Sequence, residues 1–162
     1  MKVIFLDIDG VLNSYDGLIK RGGQGIMDIY YEHETILAWV LRHTQAKIVI
    51  SSTWRVTHSM EKLKAAFHIS SIPDSIIGAT PICRGENLMR GQEIERFFLG
   101  IHSTRTENFV IIDDDNDMPP YMDKLVLTDN DRGLTYENGL EIIRRLNGDG
   151  YADKFIWTRE KT

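Results

Sequence analysis

Apolar residues along this chain fall into short continuous runs that alternate with stretches of helical spacing. Val3, Ile4, Phe5 and Leu6 form a brief, partly β-branched run closed by a glycine at position 10, which predicts a strand buried on both faces. In "HETILAWVLRH", residues 33–43, Ile36, Leu37, Val40 and Leu41 share one helical face, and "KIVIS" from Lys47 predicts the next buried strand. "SMEKLKAAF" at 59–67 sets Met60, Leu63 and Phe67 at helical spacing, and "GQEIERFFL" at 91–99 does the same with Ile94, Phe97 and Phe98. "NFVII" at 108–112 and "KLVLT" at 124–128 predict two further strands, and "YENGLEIIRRL" at 136–146 a closing helix. Strands alternating with helices imply an α/β three-layer sandwich around a mainly parallel central sheet.

Two segments break the alternation. "SYDGLIKRGGQGIMDIYY", residues 14–31, holds four glycines and mixed polarity, which predicts a mobile loop or small hairpin. The tail "GDGYADKFIWTREKT", 148–162, is expected to dock through Phe155, Ile156 and Trp157, because those side chains are costly to expose. No internal repeat or linker divides the chain, so residues 1–162 are expected to form a single domain with its core over about 1–147.

Composition narrows the class. A hydrophobic fraction of 42% and a charged fraction of 27% fit a soluble chain, and no segment is long enough to span a bilayer. Net charge of −5 argues against coating nucleic acid by general electrostatics. Cys83, the only cysteine, excludes an internal disulfide and a cysteine-based zinc site, and suits a reducing cytoplasm.

The candidate chemistry lies where the predicted strands end. Ligands of open parallel sheets bind outside the carboxyl ends of the strands. There the first run finishes at Asp7 and Asp9, the second at Ser51 and Ser52, and the third at Asp113, Asp114 and Asp115, with Asp117 just beyond. Asp7 and Asp9 would repel each other unless a cation or shared proton relieves them, although an aspartate that merely favours the turn is the simpler reading of D-x-D alone. Converging carboxylates suit a hard, oxygen-seeking cation such as Mg²⁺. Trp54 and Arg55 would stack on or grip a substrate, or else be a packed indole and a structural ion pair. The histidines at 33, 43, 58, 68 and 102 show no ligand spacing. "KRGG" at 20–23 reads as a solvated loop, Asp129 and Asp131 as turn formers, and Met118, Pro119 and Pro120 as a helix boundary.

"FLDIDGVLN", "VISSTWR" and "VIIDDDND", in this order and at these strand ends, resemble the haloacid dehalogenase (HAD) superfamily of phosphohydrolases. "ISSTWR" with "LTDNDRGLT" is similar more narrowly to the small HAD domains of phage proteins and bacterial RNA-repair fusion proteins. The resemblance covers roughly residues 1–147 and implies a HAD-like, Rossmannoid fold. It implies that Asp7 is the nucleophile that forms an aspartyl-phosphate, and that Asp9 is the acid and base whose backbone carbonyl helps hold Mg²⁺. Asp113 would bind the metal directly, supported by Asp114 or Asp117. Ser51 would hold a phosphoryl oxygen, with Ser52 as the fallback. The family expects a lysine before the third strand; here the match is Arg90, with Arg84 as a rival, and arginine makes the same kind of contact bidentately.

Neither the gap from Asp9 to Ser51 nor that from Ser51 to Arg90 has room for a full cap domain. The expectation is a cytoplasmic Mg²⁺-dependent phosphomonoesterase with an open site, whose partner is a phosphorylated substrate, terminal phosphates of nucleic acid among them. Nucleotides or small phosphorylated metabolites are the alternative substrates. A non-catalytic HAD-fold binding or assembly module is the alternative of another class.

Overall fold

The computed structural model describes residues 1–22, 28–83, 89–100 and 106–151. Five parallel strands form one sheet, in the order β3-β2-β1-β4-β5. They are β1 (Lys2–Leu6), β2 (Lys47–Ile50), β3 (Ile76–Ala79), β4 (Asn108–Asp113) and β5 (Leu125–Leu127). The helices are α1 (Tyr15–Lys20), α2 (Tyr31–Thr44), α3 (Trp54–Thr57), α4 (Met60–Ala65), α5 (Arg90–Leu99) and α6 (Tyr136–Asn147).

The central strand is apolar throughout because both its faces are covered. Val3 and Phe5 point into a cluster with Val49, Ile111, and Ile94 and Phe97 of α5. Ile4 and Leu6 point the other way, toward Leu37 and Val40 of α2, Leu63 of α4, and Ile142 and Ile143 of α6. The alternation of strand side chains thus divides the core into two layers, with α5 on one side of the sheet and α2, α4 and α6 on the other. Phe5 anchors the α5 side, with ring centroids of Phe97, Phe98 and Phe109 at 5.4, 5.5 and 5.7 Å in edge-on contact.

β1 pairs in register with β2 and β4, placing Leu6 beside both Ile50 and Ile112. The ladder continues one step beyond the strands. Asp7 N donates to Ile112 O, Ser51 N to Leu6 O, Thr80 N to Ile50 O, and Thr128 N to Asp113 O. This staircase sets the first residue after each strand on a common shelf at the carboxyl edge.

The structure departs from the sequence expectation in three elements. β3 was not anticipated: it is four residues long, includes Gly78, lies at the sheet edge and exposes Ile77. So short and weakly alternating a run carries little signal. Residues 15–20 form a helix rather than a loop or hairpin, started by Ser14, whose hydroxyl accepts from Gly17 N at 3.2 Å. The Ser-x-x-Gly spacing lacks the acidic residue that usually marks such a start. A single helical turn, α3, directly follows the serines. The proposed docking of Phe155, Ile156 and Trp157 lies outside the described residues.

Gly91, near the start of α5, lies directly against the backbone of the segment after β4. A Cβ there would come within 2.2 Å of Pro119 O and 2.4 Å of Met118 O. Gly91→Ala is therefore expected to lower the melting temperature by about 3–10 °C, from an overpacking cost of about 1–3 kcal/mol. Gly78→Ala, whose methyl would meet nothing within 4 Å, is expected to change it by less than about 2 °C. Equal shifts in thermal unfolding would refute this seating of α5.

Candidate active site

Asp7 and Asp113 close adjacent strands and are both buried, Asp113 completely. Asp114 follows at the strand tip, and the three carboxylates can each offer an oxygen within 4.8 Å of the others. Among the described residues this is the cluster able to hold a metal ion, and no histidine joins it. Its donors are all carboxylate oxygens, the set that hard divalent cations prefer, so the residues fit Mg²⁺.

Arg90, the first residue of α5, supplies the one guanidinium that touches this cluster among the described residues. Its Nη1 lies 3.1 Å from Asp7 Oδ1 and 2.5 Å from Asp113 Oδ2. Asp117 holds the helix start, its Oδ2 accepting from Arg90 N at 3.2 Å while its backbone carbonyl accepts from Gly91 N. Of the two candidate supporting acids, Asp114 thus joins the cluster, and Asp117 orients the helix that carries Arg90. Asp114 packs against Gly10, where a Cβ would come within 2.3 Å of Asp114 Oδ2 and where φ is +69°. Both the space and the left-handed backbone require glycine there.

Burial pushes Asp7 above the ordinary carboxylate range, opposed by Arg90 and by hydrogen bonds from the Ile8 backbone and Ser52. Burial, and then the like charge of Asp7, push Asp113 up to about 7 against Arg90. Burial also raises Asp114. Burial alone would lower Arg90, but Asp7 and Asp113 outweigh it and hold the guanidinium above its usual value. Among the described residues one guanidinium faces three carboxylates, which leaves them short of positive charge.

Asp9 has a different environment from Asp7. It is exposed, and both its oxygens are held: Asn13 Nδ2 donates to Oδ1 at 2.8 Å and Trp54 Nε1 to Oδ2 at 2.9 Å. Asn13 Oδ1 in turn accepts from Gly10 N, and Thr128 Oγ1 donates to Gly10 O, so the turn carrying Asp9 is pinned from both sides. Trp54 is thus neither a stacking surface nor simply a packed ring; it orients Asp9. Sequence reasoning passed over Asn13, although Asn three residues after a turn glycine is a recurrent way of bonding a turn's backbone.

Ser51 is fully buried and its Oγ has no partner among the described residues. An unpaired buried hydroxyl is costly, and a ligand oxygen beside it would remove that cost. Ser52 is committed differently: its hydroxyl accepts from Trp54 N at 3.3 Å and bonds Asp7. Thr80 Oγ1, at the end of the unanticipated β3, is buried and unpartnered like Ser51. Of the two readings of Arg55, a grip on substrate or a structural ion pair, its contacts fit the second. Its guanidinium donates to the carbonyls of Ser51 at 2.5 Å, Ser52 at 2.7 Å and Thr80 at 3.1 Å, and pairs with Glu93 of α5. It is a strut joining two strand ends to a helix. Arg84 lies outside the described residues, as does His102.

The loop residues behave as turn and surface elements. Asp129 Oδ1 accepts from Asp131 N at 2.8 Å, closing its turn, and Arg21 pairs with Glu32 at 3.1 Å beside the Tyr30 ring. His33 ties α1 to the body: Nδ1 meets Leu134 O at 2.9 Å and Nε2 meets Ser14 Oγ at 3.3 Å.

With this geometry in view, the chain matches one family, described as the HAD domain in Swiss Army Knife RNA repair proteins, over residues 3–138. No curated protein and no solved structure matches it.

Burial holds His33 below its ordinary pKa, against the raising influence of the Leu134 carbonyl and Glu32. The unfolded chain therefore takes up this proton at higher pH than the folded one. The stability His33 contributes is full above its unfolded pKa of about 6.5 and is lost as pH falls through the lower, folded value. His33→Asn keeps a donor toward Leu134 but cannot take up the proton. Its melting temperature is expected to fall less than that of the unsubstituted protein between about pH 7 and about pH 5; identical profiles would refute the neutral, buried imidazole.

Proposed function

The chain belongs to the family of HAD domains found in Swiss Army Knife RNA repair proteins, and from that membership we propose a Mg²⁺-dependent phosphomonoesterase acting on terminal phosphates of nucleic acid. The observation that carries the reading is the buried Asp7 beside Arg90, with the unspent Ser51 hydroxyl on the neighbouring strand end. Phosphohydrolase chemistry is what the family suggests.

Asp7, Asp113 and Asp114 would hold Mg²⁺, and the ion would neutralise negative charge on the phosphoryl group. Arg90 and the Ser51 hydroxyl would bind phosphoryl oxygens. A carboxylate oxygen of Asp7 attacks phosphorus, the bond from phosphorus to the leaving oxygen breaks, and protonated Asp9 gives its proton to that oxygen. In the second half Asp9 takes a proton from water as the water oxygen attacks phosphorus. The bond from phosphorus to Asp7 then breaks, releasing phosphate and restoring the Asp7 carboxylate. The hydrogen bonds from Trp54 and Asn13 aim Asp9 for both transfers.

Two features support a large substrate. Among the described residues no inserted domain covers the shelf, and Asp9 is exposed. The family description also names RNA repair proteins.

The test is phosphate release in Mg²⁺ from 3′- and 5′-phosphorylated oligonucleotides, mononucleotides and sugar phosphates. An oligonucleotide end should be preferred, and Asp7→Asn should reduce release by about 10³-fold or more. Preference for small esters would redirect the assignment to metabolite phosphates. Retained Mg²⁺ with no release from any ester would make the chain a non-catalytic module.

Metal binding has its own readout. At about 100 times its dissociation constant, Mg²⁺ should stabilise the protein by about 2.7 kcal/mol, a rise of about 5–10 °C in melting temperature. Asp113→Ala should abolish that rise, and an equal rise in the variant would remove the metal assignment.

A further inference from the structure

A cavity of about 240 Å³ opens directly beside Asp9. Its walls include Tyr15 and Leu18 of α1, Tyr30, and the amides of Asn13 and Asn130. Under the reading proposed above, on which this inference rests, Asp9 serves the leaving oxygen, so the group that departs occupies the space next to Asp9. The cavity is smaller than the roughly 300–1,000 Å³ that encloses a whole drug-sized ligand, so it takes one ring-sized part of a substrate.

The lining selects the chemistry of that part. Among the described residues that line it, Asp9 is the one charged side chain, and the nearby Arg21 lies over the Tyr30 ring and pairs with Glu32. A second phosphate or a carboxylate there would face the negative charge of Asp9. Tyr15 is 55% exposed, and its ring meets no described residue in a ring contact or hydrogen bond. A large aromatic left this bare at the rim of a cavity is suited to stacking. Asn130 is exposed and its side-chain amide bonds no described residue, leaving both a donor and an acceptor free.

The two groups are also fixed relative to each other. Tyr15 N donates to Asn130 O at 3.0 Å, and Asp16 N to Asp131 O at 2.9 Å, so α1 and the 129–133 turn are joined backbone to backbone. The backbone positions that carry ring and amide are thus held side by side on the cavity's rim.

We propose that this cavity is the leaving-group subsite and that it receives the nucleobase of a terminal nucleotide, stacked on Tyr15 and hydrogen-bonded by Asn130. An uncharged planar ring with donors and acceptors on its edge matches these walls, and stacking tolerates any base. The same chemistry is carried by a free nucleoside monophosphate and by the last residue of an oligonucleotide.

The experiment compares kcat/KM for a nucleoside monophosphate, a phosphorylated oligonucleotide, the same oligonucleotide with an abasic terminal residue, and glycerol phosphate. Tyr15→Ala should lower the value for the base-bearing substrates about tenfold more than for the baseless ones, through KM. Tyr15→Phe should restore it, and Asn130→Ala should reproduce part of the loss. Equal losses on base-bearing and baseless esters would overturn the subsite. A larger Tyr15→Ala effect on the oligonucleotide than on the mononucleotide identifies the strand end as the occupant's source, and the reverse identifies the free nucleotide.

A second arm needs no turnover. Calorimetric binding of the nucleoside monophosphate to Asp7→Asn protein should weaken about tenfold when Tyr15→Ala is added, while glycerol phosphate binding should not show that difference. Absence of phosphate release with this discrimination intact would remove the phosphatase reading and leave the base-binding cavity. Release without the discrimination would do the opposite.

Discussion

Two buried carboxylates and a half-buried third, gathered around the single guanidinium that the described residues bring to them, are the constraint on which the rest of the site depends. Asp7 and Asp113 end neighbouring strands held in register by the ladder, so neither can retreat from the other. Two like charges about 4 Å apart repel by roughly 4 kcal/mol at an effective dielectric constant near 20, and burial adds to the cost of ionising either. Arg90 touches both acids with one nitrogen. A third carboxylate, Asp114, remains without a cation of its own. Burial, and then the like charge of Asp7, raise Asp113, and carboxylate oxygens gathered this closely are a donor set suited to a divalent ion.

Arg90 meets both acids only if α5 starts at the right place, and the fold secures that start from two directions. On the β4 side, Asp117 takes the Arg90 amide and Gly91 lets the helix approach the backbone of residues 118 and 119. The segment that carries Asp114 into the cluster therefore also seats the helix that brings the balancing charge. On the β2 side, Arg55 joins the carbonyls of Ser51, Ser52 and Thr80 to Glu93, one turn along α5. An arginine that sequence leaves open between substrate ligand and structural ion pair is the brace that joins the serine shelf to α5.

What could be read from sequence, and what could not, follows from the range over which each interaction acts. The central strands were legible because burial on both faces writes itself as a continuous apolar run, and acids at the ends of such runs stand out. Asp7, Ser51 and Asp113 stand at the carboxyl ends of β1, β2 and β4. Whether Asp114 or Asp117 completes the cluster was not legible, because it depends on how the chain turns after β4 and on Gly10 leaving room for one of them. β3 and α1 escaped for a related reason: each is short, contains glycine and is held by neighbours distant in sequence. The role of Trp54 at Asp9 spans 45 positions, a link that no local pattern encodes.

The Asp-Ile-Asp spacing can now be understood by a different route from mutual repulsion. Asp7 still belongs to the ladder through Ile112, whereas by Gly10 the chain has turned out of the sheet at a positive φ. Two residues of travel therefore separate the carboxylates into unlike surroundings. Burial is the largest influence raising Asp7, and Arg90 is the largest opposing it. Asp9 instead rests in solvent between two neutral donors, an indole and an amide, that fix its direction while adding no charge beside it. A nucleophile must stay ionised next to a phosphate, while a proton carrier must gain and lose a proton in each cycle. Under the proposed reading, Asp7 owes its ionisation to Arg90, which opposes the burial that raises it, while Asp9 sits in solvent apart from that pairing. The turn at Gly10, pinned by Asn13 and Thr128, is what converts adjacency in sequence into that difference.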